Sequence, residues 1–140
     1  AIDPGISKCG LIVADLKKKK VFEALVIESN LLLRFVKKIY QKESNLKLLI
    51  GNGTSSKKHI NDLSKFIPKL IVAEEKNTTY RAKQRYFEIF PLHGLKSFLP
   101  KEIFILNKNL DALAALIIME DFFKCKFDFS QKVDIRTWQK

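Results

Sequence analysis

The chain has 140 residues, 46% hydrophobic and 11% aromatic, with 26 Lys and Arg against 15 Asp and Glu for a formal net charge of +11. That length suits one domain with a proper core, and the composition excludes wholesale disorder. The basic excess favours a polyanionic partner, most simply nucleic acid, although compositional drift alone also yields lysine-rich surfaces.

Two cysteines, Cys9 and Cys125, carry neither metal-ligand spacing nor a disulfide framework, and read as reduced thiols of a cytoplasmic protein. No apolar run approaches the roughly 20 residues that span a bilayer, and no signal peptide is visible. Position 1 is Ala rather than Met, so residues before it are expected.

Ala1-Ile2-Asp3 is the end of an apolar strand, stopped by Pro4 and Gly5. Asp3 therefore stands at the mouth of a sheet, although turn initiation alone would also place an acid there. Cys9 to Ala14 and Val21 to Ile27 are β-prone runs joined through Asp15 and the Lys17–Lys20 block, which reads as a solvated hairpin turn. Leu31, Leu32, Phe35, Val36 and Ile39 then recur at helical spacing behind Ser29 or Asn30.

Lys47 to Ile50 is a strand ending in Gly51-Asn52-Gly53, and Thr54 or Ser55 can cap a helix carrying Ile60, Leu63 and Phe66. Leu70 to Ala73 is another strand, with Glu74 and Glu75 at its C-terminal end. A helix opened by Thr78 or Thr79 buries Ala82, Tyr86, Ile89 and Phe90 and directs Arg81 and Arg85 elsewhere. Asn109 caps a strongly apolar helix from Leu110 to about Phe123. The order predicts an α/β domain over residues 1–126, with a mixed five-stranded sheet (three antiparallel strands, then parallel ones) and helices on both faces. Residues 127–140 read as a polar C-terminal tail in which Trp138 is either docked or mobile.

In open α/β sheets, sites collect at the C-terminal ends of strands. Asp3 lies at one such end and Glu74 and Glu75 at another, and Asp111 lies in the first turn of the last helix, where the dipole favours a carboxylate. Complementing that dipole is also a sufficient reason for Asp111. If the three acids share one rim they repel, and a divalent cation resolves the repulsion; oxygen-only ligation suits Mg²⁺ or Mn²⁺. Arg81 and Arg85 are an i,i+4 pair that either tracks a phosphate backbone or bonds Glu88. Gly51 and Gly53 either end a strand or let amides approach a phosphate. His59 and His93 show no partner pattern.

Four segments together resemble the YqgF/RuvC-like nucleases of the RNase H-like superfamily. They are Ala1-Ile2-Asp3-Pro4-Gly5 with Lys8 and Gly10; Gly51-Asn52-Gly53-Thr54; Glu74-Glu75-Lys76-Asn77-Thr78-Thr79; and Leu110-Asp111-Ala112-Leu113-Ala114-Ala115. The resemblance runs from Ala1 to about Phe123. It implies an RNase H-like fold and Mg²⁺- or Mn²⁺-dependent cleavage of structured nucleic acid, either branched DNA (Holliday junction resolvase-like) or the 5′ end of precursor small-subunit ribosomal RNA. It assigns Asp3, Glu75 and Asp111 as catalytic metal ligands, with Glu74 auxiliary, and Lys8, Arg81, Arg85 and Lys108 as backbone contacts. Lys108 stands where RuvC-type resolvases carry a further aspartate, so the site resembles YqgF more than RuvC. Junction resolution would suit a homodimer and RNA trimming a monomer. A non-catalytic nucleic-acid-binding module of the same fold is the other expectation.

Overall fold

The computed structural model of the chain describes residues 1–43, 45–105, 107–130 and 132–138, the side chains at 95, 102, 107 and 108 excepted. Its strands are β1 (Ile2–Asp3), β2 (Lys8–Asp15), β3 (Lys20–Glu28), β4 (Leu48–Gly51), β5 (Leu70–Ala73) and β6 (Ile135–Trp138). Its helices are α1 (Leu32–Lys42), α2 (Ser56–Ser64), α3 (Thr78–Ile89) and α4 (Asn107–Phe123). The strands form one mixed sheet in the order β5-β4-β1-β2-β3-β6. β1–β2 and β2–β3 pair antiparallel, whereas β1–β4, β4–β5 and β3–β6 pair parallel.

Local chemistry accounts for the hairpin. Asp15 Oδ1 accepts the amides of Lys17 at 2.8 Å and Lys18 at 2.9 Å, and Lys19 takes a left-handed φ of 49°. The lysine block is thus a solvent-facing turn organised by one aspartate.

Strand alternation divides the core between two faces. Ile2, Leu11, Leu25, Ile27 and Ile50 point to one side, where α1 and α2 supply Leu32, Phe35, Val36 and Leu63. Ile12, Ala24 and Val26 point to the other, under α4 and Ala82 of α3. Helix α4 lies between the sheet and α3, which is why Ala112 to Glu120 is buried all round rather than along one stripe. Among the described residues no helix is long and apolar enough to cross a membrane.

Two expectations are corrected. The sheet has six strands, because the segment read as a polar tail enters the fold. Phe127 (1% exposed) and Phe129 (6%) join the α4 side of the core, and Ile135–Trp138 pairs with β3. Trp138 is docked, its ring edge-on to Phe35 at 5.0 Å between centroids. Apolar residues alternating with polar ones between Phe127 and Trp138 are what an edge strand and its approach require, even in a segment rich in polar side chains.

The arginines of α3 are also not where a phosphate track needs them. Arg85 is enclosed between α3, α4 and the following segment, donating to Glu120 Oε1 at 2.9 Å, Glu88 Oε2 at 2.9 Å and the Phe127 carbonyl at 2.8 Å. Glu120 Oε1 also accepts the Phe127 amide at 2.9 Å. Arg81 makes a two-pronged pair with Asp121, NH2 to Oδ1 at 2.7 Å. Removing one member of a buried pair strands the other's charge. Glu120→Ala is therefore expected to cost about 3–5 kcal/mol in denaturant-unfolding stability. An unchanged midpoint would show that Arg85 is held by Glu88 and Phe127 alone.

Candidate functional site

Three carboxylates from distant parts of the chain meet at one rim of the sheet. In β1, Ile2 faces the α1–α2 side, so alternation turns Asp3 to the α4 side, where it pairs with Gly10 of β2. A Cβ on Gly10 would lie 1.8 Å from the Asp111 carbonyl oxygen. Helix α4 begins at Asn107, before the expected Asn109 cap, so Asp111 lies past its first turn rather than in it. Only hydrogen at Gly10 lets α4 rest on the strand at Asp111 and Ala112, and this contact brings Asp111 to Asp3. Beyond Asp3, a Cβ on Gly5 would lie 2.1 Å from the Lys8 carbonyl oxygen, so the chain turns back tightly into β2.

Glu75 is placed by the turn that ends β4. Asn52 Oδ1 accepts the Glu75 amide at 3.0 Å, the Gly53 amide donates to Glu75 Oε2 at 3.1 Å, and Thr78 Oγ1 donates to Oε1 at 3.3 Å. Asn77 adopts a left-handed φ of 51°, which turns the chain so that Thr78 can reach back. A Cβ on Gly51 or Gly53 would stand 2.6 Å from Glu75 Oε2. The two glycines make room for a carboxylate, and the Gly53 amide is directed to Glu75 rather than to an external phosphate.

The electrostatics follow from this crowding. Burial, then the charge and hydrogen bond of Glu75, then the charge of Asp111 push Asp3 up to about 7. Asp111 is raised by burial and held back by Lys8. Near neutral pH Asp3 is thus poised between its protonated form, which hydrogen-bonds Glu75, and its ionised form. Among the described residues no three His, Cys, Asp or Glu side chains are arranged to hold a metal ion as they stand. As a donor set, Asp3, Glu75 and Asp111 offer only oxygens, the chemistry that suits a hard divalent cation.

The other expected site residues divide. Lys8 lies on the Asp3 and Gly10 side of β2 by alternation, exposed and close enough to act on Asp111. Two lysines outside the expected set, Lys57 and Lys58, are also exposed where α2 leaves the same rim. Glu74 is turned to solvent and bonded to Lys76 at 2.9 Å, because alternation past β5 sends adjacent residues to opposite sides; it does not join Asp3. Arg81 and Arg85 are bound to Asp121 and Glu120, the former about 15 Å along α4 from Asp111 at helical rise. Lys108 belongs to α4, but its side chain lies outside the described residues.

One group has no signature in the sequence. His59 of α2 and Cys9 of β2 meet on the opposite face of the same rim, Nε2 to Sγ 3.9 Å, with Ser29 Oγ 3.5 Å from the sulfur. No spacing rule joins residues 9, 29 and 59. Burial pushes the Cys9 thiol up, and the side chain has no solvent exposure, so it is not a nucleophile.

A cavity of about 820 Å³ opens at the opposite rim, among Ala14, Leu16, Phe22, Tyr40 and Phe123, and touches none of the three carboxylates. It is apolar, and lies where β1, two residues long, leaves β2 and β4 apart.

Compared with protein-family models, the chain matches none, and compared with curated proteins it has no significantly similar relative.

Proposed function

We propose that the chain is a divalent-metal-dependent nuclease of RNase H-like fold that hydrolyses phosphodiester bonds in structured nucleic acid. The observation that carries this reading is the convergence of Asp3, Glu75 and Asp111 at one sheet rim from three separate elements. The strand order, with β2 the antiparallel member beside a central β1, and the net charge of +11 support it. So does the resemblance of the four motifs to YqgF/RuvC-like nucleases.

Asp3, Glu75 and Asp111 would hold Mg²⁺ or Mn²⁺, which supplies activation of water and neutralisation of charge on the phosphoryl oxygens. Asp3 must give up its proton before it can serve as a ligand. Gly53 and Thr78 hold the Glu75 carboxylate, and Asn52 its backbone amide, against repulsion when that proton leaves. Lys8 would orient the scissile phosphate, with Lys57 and Lys58 holding the flanking backbone. Glu74, Arg81 and Arg85 have no part in this assignment. Addition of water to phosphorus with breaking of the P–O3′ bond, the O3′ leaving group taking up a proton, would leave 3′-OH and 5′-phosphate ends.

The test is cleavage of a four-way DNA junction and of a precursor ribosomal RNA 5′ end with Mg²⁺, with Mn²⁺ and with chelator, alongside solution mass. Metal-dependent cutting of either substrate is expected, and a dimer would accompany junction cutting. A second reading, a non-catalytic nucleic-acid-binding module, draws on the carboxylates not forming a ligand cage as they stand. Salt-sensitive binding without cleavage under any metal would select it.

A further inference from the structure

The turn that joins β1 to β2 stands at the carboxylate rim, with Asp3 at its start and Lys8 at its end. Its tip, Ile6, is 90% exposed, more than any other large apolar side chain among the described residues. Single exposed aliphatic residues are common on protein surfaces and by themselves mean nothing. Ile6 differs in how it is presented. Pro4 is buried and fixes its own φ. Gly5 is pressed so close to the Lys8 carbonyl that a Cβ there would lie 2.1 Å from its oxygen. Ser29 ties the backbone on both sides of Ile6, its hydroxyl donating to the Gly5 carbonyl at 2.8 Å and its amide to the Ser7 carbonyl at 2.9 Å. The backbone is held, and Ile6 stands out from it instead of folding back onto the domain.

Chain geometry sets its distance from the site. Ile6 follows Asp3 by three residues and precedes Lys8 by two. At full extension those steps span at most about 11 Å and about 7 Å. A stacked strand advances about 3.4 Å per nucleotide, so a phosphate held at Asp3 puts Ile6 within about three nucleotides of it. Ser7 and Lys8 beside it are exposed and polar, and Lys57 and Lys58 stand exposed at the same rim. A broad apolar patch would suit a protein or lipid partner. One fixed aliphatic side chain among basic groups suits a nucleic acid, whose phosphates meet the lysines and whose base faces meet the apolar group.

We propose that Ile6 is a specificity residue that wedges against an unstacked base near the scissile phosphate, so that the site takes branch points and unpaired ends in preference to continuous duplex. In a continuous duplex each base face is covered by its neighbour, and the stack must be parted to admit the side chain. At a branch or an end, one face is already open. An aliphatic group makes no hydrogen bond, so the selection is for shape and not for base identity. The consequence for cleavage rests on the nuclease reading above; the contact with the base does not.

The experiment compares wild type with Ile6→Ser and the conservative Ile6→Leu in the full chain. The fluorescent base 2-aminopurine is placed at the branch point of a four-way DNA junction, at the unpaired 5′ end of an RNA hairpin, or within a continuous DNA duplex, with chelator present. Wild type and Ile6→Leu should change the fluorescence at the branch or the end and leave that of the duplex unaltered, and the substrate that responds identifies the source of the open base. Ile6→Ser should change none. Its affinity ratio for that substrate over duplex should fall about 10-fold, the worth of one buried aliphatic side chain. Its salt slope should stay at wild type, because no phosphate contact is lost. With Mg²⁺, the preference in cleavage should fall in step. No response to wild type at branch or end, an undiminished response and ratio in Ile6→Ser, or an Ile6→Leu variant that behaves like Ile6→Ser would overturn the wedge. A lost response with wild-type preference in cleavage would overturn its part in selection. If wild type does not cleave, the nuclease reading fails, and the fluorescence still decides the wedge.

Discussion

Asp3→Asn is expected to yield a protein that no longer cleaves and yet, in metal-free buffer at pH 8, is more stable than wild type. The sign follows from the site. Asp3 is raised from an ordinary 3.8 to about 7 by burial, by Glu75 and by Asp111. Below about pH 4 the group is protonated in both folded and unfolded chains, so it adds no pH-dependent penalty. Between about pH 4 and 7 only the folded chain keeps the proton, so wild-type stability falls as pH rises; above about 7 the whole penalty is present. A shift of this size corresponds to about 4 kcal/mol at most, and relaxation of the three carboxylates should bring it to about 2–4 kcal/mol. Asn keeps the shape, can donate to Glu75 as protonated Asp3 does, and carries no charge. Its unfolding free energy should therefore be nearly flat across this window and exceed wild type at pH 8. Mg²⁺ should stabilise wild type, because it binds the folded chain, and leave the variant unchanged. Cleavage should fall by about 100-fold or more, since loss of an outer-sphere partner of a metal ligand alone costs about 10–100-fold. Urea unfolding at several pH values with chelator, together with a junction-cleavage assay, checks both halves. Wild-type cleavage by the variant would remove Asp3 from the mechanism; an unaltered pH slope would remove the charge crowding.

Legibility in the sequence followed the range of the interactions. The β2–β3 hairpin and α4 were readable because alternation, a lysine turn and a continuous apolar run are local signals. Glu75 was separable from Glu74 only through motif register, and the structure supplies the physical reason in Asn52 and Gly53. Arg81 and Arg85 were correctly placed on one helical face, but their partners, Asp121 and Glu120, are 40 and 35 residues downstream. No i,i+4 rule could reveal them. β6 was missed for a similar reason. Its stability comes from a parallel ladder with β3, more than 100 residues away in sequence, and from Phe35 receiving Trp138. The Ser29 contact was invisible because its partner is the Gly5 backbone carbonyl, which no residue pattern encodes.

Gly10→Ala should be the most damaging one-carbon change in the chain. The new Cβ would sit 1.8 Å from the Asp111 carbonyl oxygen, 2.2 Å from its carbon and 2.8 Å from the Ala112 nitrogen. None of these is the free end of a side chain. On one side is β2, held between β1 and β3; on the other is the backbone of α4 at Asp111 and Ala112, just ahead of its fully buried stretch. Neither can yield without moving its neighbours, so the cost belongs at or above the upper end of the usual overpacking range, about 3 kcal/mol or more. The helix end must lift by more than an ångström, carrying Asp111 away from Asp3, and a displacement of that size can cost about 100-fold in rate. Gly53→Ala makes the informative contrast. Its Cβ would meet Glu75 Oε2 at 2.6 Å, the movable tip of a side chain, so stability should fall by only about 1 kcal/mol, near the lower end of that range. Cleavage should still suffer, because Glu75 must leave the Gly53 amide. Comparing urea midpoints and cleavage rates of the two variants separates packing from chemistry. If Gly10→Ala unfolds at the wild-type midpoint and cuts at the wild-type rate, then α4 does not rest on β2 at Gly10, and the convergence of Asp111 with Asp3 goes with it.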